Sequence, residues 1–299
     1  MQTAKSRQAF SVILMAILFF FVLGALVVAN VQAQGLALGR WQDWEWDDDN
    51  WDRAPDKTVP EFRYNRVEGI YLGYKVDPEY WRYRRPTTPF VYGSAGYSLG
   101  IKDIEYQLGF EQGLFAKRRM GLGVEYHHLV DTPDRWRVGE EENSLAAFFI
   151  KEDFQDYYLR EGGSVYYAQE LFKDLGLKVA YHFETYDSLE RNVSWSLFGK
   201  GKHFRKNPAM DAGDNRALGV RLTLDTRNSQ TRTTRGWYID LDYEHATEDM
   251  GSDWTYDRFE ADIRRYQSLG FDQGVDIRLR VGTAYGDLPW QKTYQLGGI

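Results

Sequence analysis

The chain has no cysteine in 299 residues. That absence excludes a disulfide scaffold, thiolate metal ligation and thiol nucleophiles together. An excess of basic charge is missing too: 37 Lys and Arg stand against 44 Asp and Glu, a net charge of −7. Binding phosphates along a polymer requires a basic surface, so a nucleic-acid partner is excluded. Long apolar runs are absent after residue 29, and the mean hydropathy of −0.57 rules out a bundle of transmembrane helices. It leaves room for a membrane barrel, whose strands are half polar by construction. Proline is scarce, at 8 residues, whereas aromatics are abundant, with 10 Trp, 21 Tyr and 17 Phe. The length suits two ordinary domains or one large all-β domain.

The one apolar run comes first. Lys5 and Arg7 precede Ser11–Ala29, and Val31-Gln32-Ala33 places small residues where a signal peptidase reads. Residues 1–33 therefore read as a secretory signal peptide, with an uncleaved membrane anchor as the competing reading. Cleavage removes two bases and no acid, so 37 − 2 = 35 bases face 44 acids in the mature chain, a net charge of −9. Residues 34–62 read as an acidic, Trp-rich linker with Trp41, Trp44, Trp46 and Trp51 around Asp47-Asp48-Asp49. A run so short of aliphatics cannot bury a core, although its indoles suit an interface.

From Arg66 onward the chain alternates with period two. Ile104, Tyr106, Leu108 and Phe110 interleave with Asp103, Glu105, Gln107 and Glu111; Val275, Ile277, Leu279 and Val281 interleave with Asp276, Arg278 and Arg280. Successive side chains of a strand point to opposite faces, so each such segment has an apolar and a polar face. Eleven strands are expected, near 66–76, 90–99, 103–113, 120–130, 143–153, 162–171, 175–186, 215–225, 236–247, 254–268 and 273–285. Their lengths suit tilted bilayer crossings, which need roughly nine to eleven residues. Aromatics near strand ends point the same way, as interface girdles: Tyr64, Tyr80, Trp81, Tyr83, Phe90, Tyr92, Trp136, Tyr157, Tyr158, Trp237, Trp254, Tyr256 and Trp290. Residues 63–299 thus read as an all-β, antiparallel transmembrane β-barrel; a soluble sandwich is the alternative. Charges on the polar face (Glu105, Glu111, Glu125, Lys178, Glu184, Arg221, Asp240, Asp242, Asp262, Arg264, Arg278 and Arg280) have mixed signs. Mixed signs favour a paired network over an ion-selective pore.

Two stretches share a form. Asp153-Phe154-Gln155-Asp156 runs through Arg160 to Gly162, and Asp225-Thr226-Arg227-Asn228 runs through Arg235 to Gly236. Both read as strand, acidic turn, basic residue, glycine, strand, as in ordinary hairpins. The second resembles the D-x-R-[DN]…x-R-G hairpin of bacterial surface antigens, the BamA/TamA-like outer-membrane assembly factors. Phe62–Gly69 is similar to the segment that opens the barrel in that family, and Tyr294–Ile299 to what precedes its R-G-[YF] motif. The resemblance implies a barrel of roughly sixteen strands, of which eleven are present, continuing past Ile299. It also implies insertion or translocation of proteins or lipids at the outer membrane. Outer-membrane lipid, lipopolysaccharide and client outer-membrane proteins are then the partners. The short linker has no room for a periplasmic POTRA domain, which departs from the family. A passive pore or a structural surface protein is the other reading.

No enzyme, cofactor or metal is expected. Gly96-Tyr97-Ser98-Leu99-Gly100 matches a hydrolase elbow, but that motif needs a helix after the serine and a strand follows. His127 and His128 are adjacent on a strand, so they point apart and cannot chelate together. Gly199–Lys206 is a basic cluster without the Gly-Lys-Ser/Thr of a phosphate loop, and suits lipopolysaccharide phosphates if extracellular.

Overall fold

The computed structural model describes residues 59–76, 89–115, 120–229, 233–270 and 273–294. The signal peptide, Trp41–Asp52, Tyr80, Trp81, Tyr83 and the segment after Tyr294 lie outside them. Eleven antiparallel strands form one sheet in sequence order: β1 Val59–Asn65, β2 Gly69–Val76, β3 Phe90–Ser98, β4 Asp103–Phe115, β5 Met120–Asp131, β6 Tyr158–Phe172, β7 Leu175–Ser188, β8 Gly213–Asp225, β9 Gly236–Ala246, β10 Tyr256–Gly270 and β11 Gln273–Gly286. Among the described residues β1 and β11 each have a single neighbour, so the sheet is not closed. No helix of the described residues is long and apolar enough to cross a membrane.

The expected number of strands is met, but not by the expected segments. Residues 143–153, read as a strand, instead belong mostly to an α-helix, α1, Glu140–Ile150. Three glutamates fill its first turn, where the helix dipole favours anions, and Leu145-Ala146-Ala147-Phe148-Phe149-Ile150 does not alternate. The helix ends where Lys151 turns left-handed (φ 63°) and donates its amide to Ala146 O. In compensation β1 starts at Val59, inside the stretch read as linker.

The two faces of the sheet differ as the alternation predicts, one apolar and exposed, the other polar and largely buried. Leu72, Val91, Ile104, Leu108, Phe110, Leu122, Val165, Leu218, Ile277 and Leu279 are all exposed on one face, Leu108 at 61% and Ile277 at 60%. The opposite, inner face carries the buried charges and tyrosines. There Tyr71 lies over Gly96, Tyr92 over Gly109 and Tyr166 over Gly123. Rings packed on glycines of a neighbouring strand fill the space a side chain would take and hold the sheet's curvature. That curvature is pronounced: Trp136, six strands away in sequence, stacks under Arg280 of β11 at 4.3 Å.

Aromatic placement departs from expectation. Tyr64, Tyr92, Tyr157, Tyr158, Trp254 and Tyr256 are buried within the protein instead of girdling it. Tyr158, Tyr186, Trp254 and Tyr256 form one apolar core with Met210. The exposed rings on the outer face are others: Phe62, Tyr74, Tyr97, Tyr106, Tyr126 and Tyr181. Period two locates a ring on a face but does not tell which connection folds over it.

Connections 66–68, 99–102, 132–157, 189–212 and 247–255 lie at one end of the sheet, and 173–174, 226–229 and 233–235 at the other. The two longest share the first end, and α1 belongs to one of them. It flanks the free margin of β1. Leu99 N bonds to Ile70 O, so Ile70 turns toward β3 and its partner Tyr64 turns away from β2. The outward-turned Tyr64 amide donates to Ser144 Oγ of α1 at 3.2 Å. Pro60, two positions beyond Phe62 on the same margin, has no amide to offer.

Candidate functional site

The β1–β2 turn is built by Asn65, whose side-chain oxygen accepts the amides of Val67 at 2.9 Å and Glu68 at 2.7 Å. Such an Asx turn is a local device that needs no tertiary help. It delivers Arg66 into the long connections, where its side chain is fully buried. Asp156 meets the guanidinium at 2.7 Å, Asp153 at 3.1 Å and the Asn207 amide oxygen at 3.1 Å. The Arg66 amide donates to Asp153 at 2.9 Å, and its carbonyl accepts from Asn192 and Val193.

Around that centre the charges balance. Arg205 meets Asp156 at 2.5 Å, and Arg137 meets Asp134 at 2.6 Å, so three guanidiniums face Asp134, Asp153 and Asp156. Asn143 of α1 bonds Asp153 at 3.0 Å and the Phe154 amide at 2.8 Å, while Tyr157 donates to Asp153 at 2.9 Å. Burial pushes the Tyr157 phenol well above its ordinary value, and Asp153 adds to the effect. Burial also lifts the Asp134 carboxyl, although Arg137 opposes the shift. Every carboxylate of the cluster has a cation, so the arrangement serves as a neutral clasp joining three connections.

Below the clasp the inner face continues as a ladder of pairs. Arg63 bonds Glu68 at 2.8 Å and Glu105 at 3.0 Å while lying over Tyr71. Tyr166 donates to Glu111 at 2.8 Å, with Lys178 4.2 Å above its ring. Glu184 collects Arg160 at 3.4 Å and Tyr186 at 2.7 Å. Arg221 pairs with Asp242 at 2.9 Å, and Arg264 and Arg278 both meet Asp262 at 2.7 Å. Glu125 bonds Tyr92 and Arg280 meets Glu260 at 2.5 Å. Of the charges read from the alternation as a paired network, Glu105, Glu184, Arg221, Asp240, Asp242, Asp262, Arg264, Arg278 and Arg280 pair with opposite charge, while Glu111 and Lys178 both meet Tyr166.

Of the two similar stretches, Asp225–Gly236 is the hairpin expected. Asp225 chelates Arg227 through both oxygens at 2.8 and 2.7 Å, and Arg227 covers the Tyr238 ring. Asn228 Oδ1 accepts the amides of Thr234 and Arg235 at 3.0 and 3.1 Å. Gly236 adopts φ 120°, where a Cβ would sit 2.4 Å from Thr226 O.

The stretch Asp153–Gly162 is not a second copy. A helix precedes it, Asp153 and Asp156 serve the clasp, and Arg160 bridges Asp131 at 3.2 Å and Glu184 within the inner face. The two share the left-handed glycine, since Gly162 has φ 138° against Phe183 O. A matching order of residue types does not fix the element before it.

Ser98 is buried, donates to Glu105 and is followed by the β3–β4 hairpin instead of a helix. His127 turns inward toward Glu125 and Glu184, whereas His128 turns outward between Asp103 and Glu161. Among the described residues no three His, Asp or Glu converge as metal ligands would. Arg66, Asn143 and Asn207 are clasp residues that sequence reading did not single out, whereas Arg205, read within the basic cluster Gly199–Lys206, meets Asp156 instead. The signal for Arg66 was the Asx-turn pattern Asn65-x-x-Glu68-Gly69.

No curated protein matches this sequence. Among solved structures, BamA from Haemophilus ducreyi lacking POTRA domains 1–3 is similar, with TM-score 0.49 and 12% identity, over 82% of this chain and 45% of that one. The chain thus spans less than half the length of that protein. Residues 42–284 match the C-terminal domain of the family of unknown function DUF5686, and the chain belongs to that family.

Proposed function

We propose that this chain forms the membrane-embedded sheet of an outer-membrane β-barrel that inserts or translocates other proteins or lipids. The observation that carries the membrane reading is the inversion of the sheet: large apolar side chains exposed on one face, ion pairs buried on the other. In water that arrangement leaves an apolar surface far larger than monomeric soluble proteins tolerate. In a bilayer the same face is solvated by acyl chains, and the polar face turns to the lumen. The paired ladder and the clasp favour a filled interior over a water-lined channel. The hairpin Asp225–Gly236, with its likeness to assembly factors, supports handling of clients over passive conduction.

Two measurements test this. Gel migration of the unboiled protein should differ from that of the boiled protein, and identical migration overturns the barrel. In planar bilayers the full-length protein should show small, flickering currents; steady large openings would replace the translocation reading with a pore.

A further inference from the structure

Outside the clasp, α1 and the residues after Val193 build an exposed apolar surface. Leu145, Phe149 and Ile150 of α1 and Trp195, Leu197 and Phe198 of the connection all face outward, Phe198 at 71% exposure. The two pieces are bonded together: Leu197 N meets Phe148 O at 2.8 Å and Phe198 N meets Phe149 O at 2.9 Å. Phe149 and Phe198 stack with ring centres 6.1 Å apart. Beneath them Phe148 packs edge-on against Phe62, Tyr64 and Trp195. Phe62 and Tyr64 pair with Leu72 and Ile70, so the surface is continuous with the outer face of the sheet.

Its rim is basic. Lys151 ends α1, and Lys200 and Lys202 follow Phe198. The acidic residue beside them is Glu152, which meets Lys202 at 2.5 Å. Glu140, Glu141 and Glu142 lie at the opposite end of the helix, where Glu140 is held by Arg63. This end of the sheet carries the long connections, which outer-membrane barrels place on the cell exterior. Exposed aromatics beside lysines are the chemistry of a helix lying in a membrane interface.

We infer that this surface docks phosphorylated lipid of the outer leaflet, of the lipid A class. Phe149, Ile150, Trp195 and Phe198 enter the acyl boundary, and Lys151 and Lys200 meet the phosphates. The inference rests on the outer-membrane reading, and the test separates the two.

Because the chain has no cysteine, single nitroxide labels can be placed at Leu108→Cys and Phe198→Cys in the full chain. Each variant is reconstituted in phosphatidylcholine vesicles with or without lipid A, and heat-modifiable migration confirms that it has folded. Label accessibility to oxygen and to a water-soluble nickel chelate is then read. The Leu108 label should favour oxygen in both vesicles; if it favours nickel, the membrane reading fails. With Leu108 in lipid, the Phe198 label should favour oxygen more strongly when lipid A is present. Lys151→Gln/Lys200→Gln should abolish that gain. A Phe198 label equally placed in both vesicles, reached by nickel, or shielded from both probes overturns the inference; the last outcome indicates a protein covering the patch.

Discussion

Burying a guanidinium strips its hydration, and Arg66 recovers the loss from two carboxylates, an amide oxygen and the Asp153 carbonyl. Replacing it leaves Asp153 and Asp156 in a buried site with one cation fewer. Arg66→Met should therefore cost about 3–5 kcal/mol, measured by urea unfolding of the folded protein. Adding Asp153→Asn alone to that variant should recover much of the loss, because the expense lies in stranded charge and Asp156 keeps Arg205. Recovery would fail if Arg66 acted mainly through packing. Gly236 illustrates a different cause at the same scale, a backbone conformation. Its φ of 120° and the nearby Thr226 carbonyl leave no place for a Cβ. Gly236→Ala should destabilise the β8–β9 hairpin by about 1–3 kcal/mol, whereas Asp225→Ala, removing a partly exposed pair, should cost only about 0.2–1 kcal/mol. The same unfolding assay ranks the two.

On the membrane reading, strands answer to depth in the bilayer. Leu108, in the middle of β4 on the outer face, should tolerate arginine poorly, at about 2–4 kcal/mol, whereas Phe172→Arg at the end of β6 should cost about 0–1 kcal/mol. Equal penalties in refolding titrations into lipid would contradict the assigned face. That face was legible in the sequence because a sheet with one apolar and one polar face imposes a strict period of two, and Ile104–Phe110 and Val275–Val281 obey it. The clasp was not legible, since its partners are separated by up to 141 residues, as Arg66 is from Asn207. α1 was misread as a strand because length and apolarity do not separate a short helix from a strand. Its acidic first turn and its paired alanines were the discriminating signs. The buried tyrosines were assigned to girdles for a related reason: an aromatic near a strand end looks the same whether lipid or a folded connection covers it.

The whole sheet has two ends of different character, and on the outer-membrane reading the end with the two longest connections faces outward. Since no native thiol interferes, a membrane-impermeant maleimide on intact cells should label Asp249→Cys and spare Lys173→Cys; the reverse pattern would invert the orientation. At the margin of β1 the geometry has a mechanical outcome. Proline removes one amide and Ser144 occupies another, so a strand arriving there finds Phe62 as the open position between them. Freeing the margin means swinging α1 aside. The amides of Leu197 and Phe198 are fastened to the last turn of that helix, so the swing drags the aromatic patch and its lysines along. Whatever grips that patch from outside therefore also holds the helix against the margin.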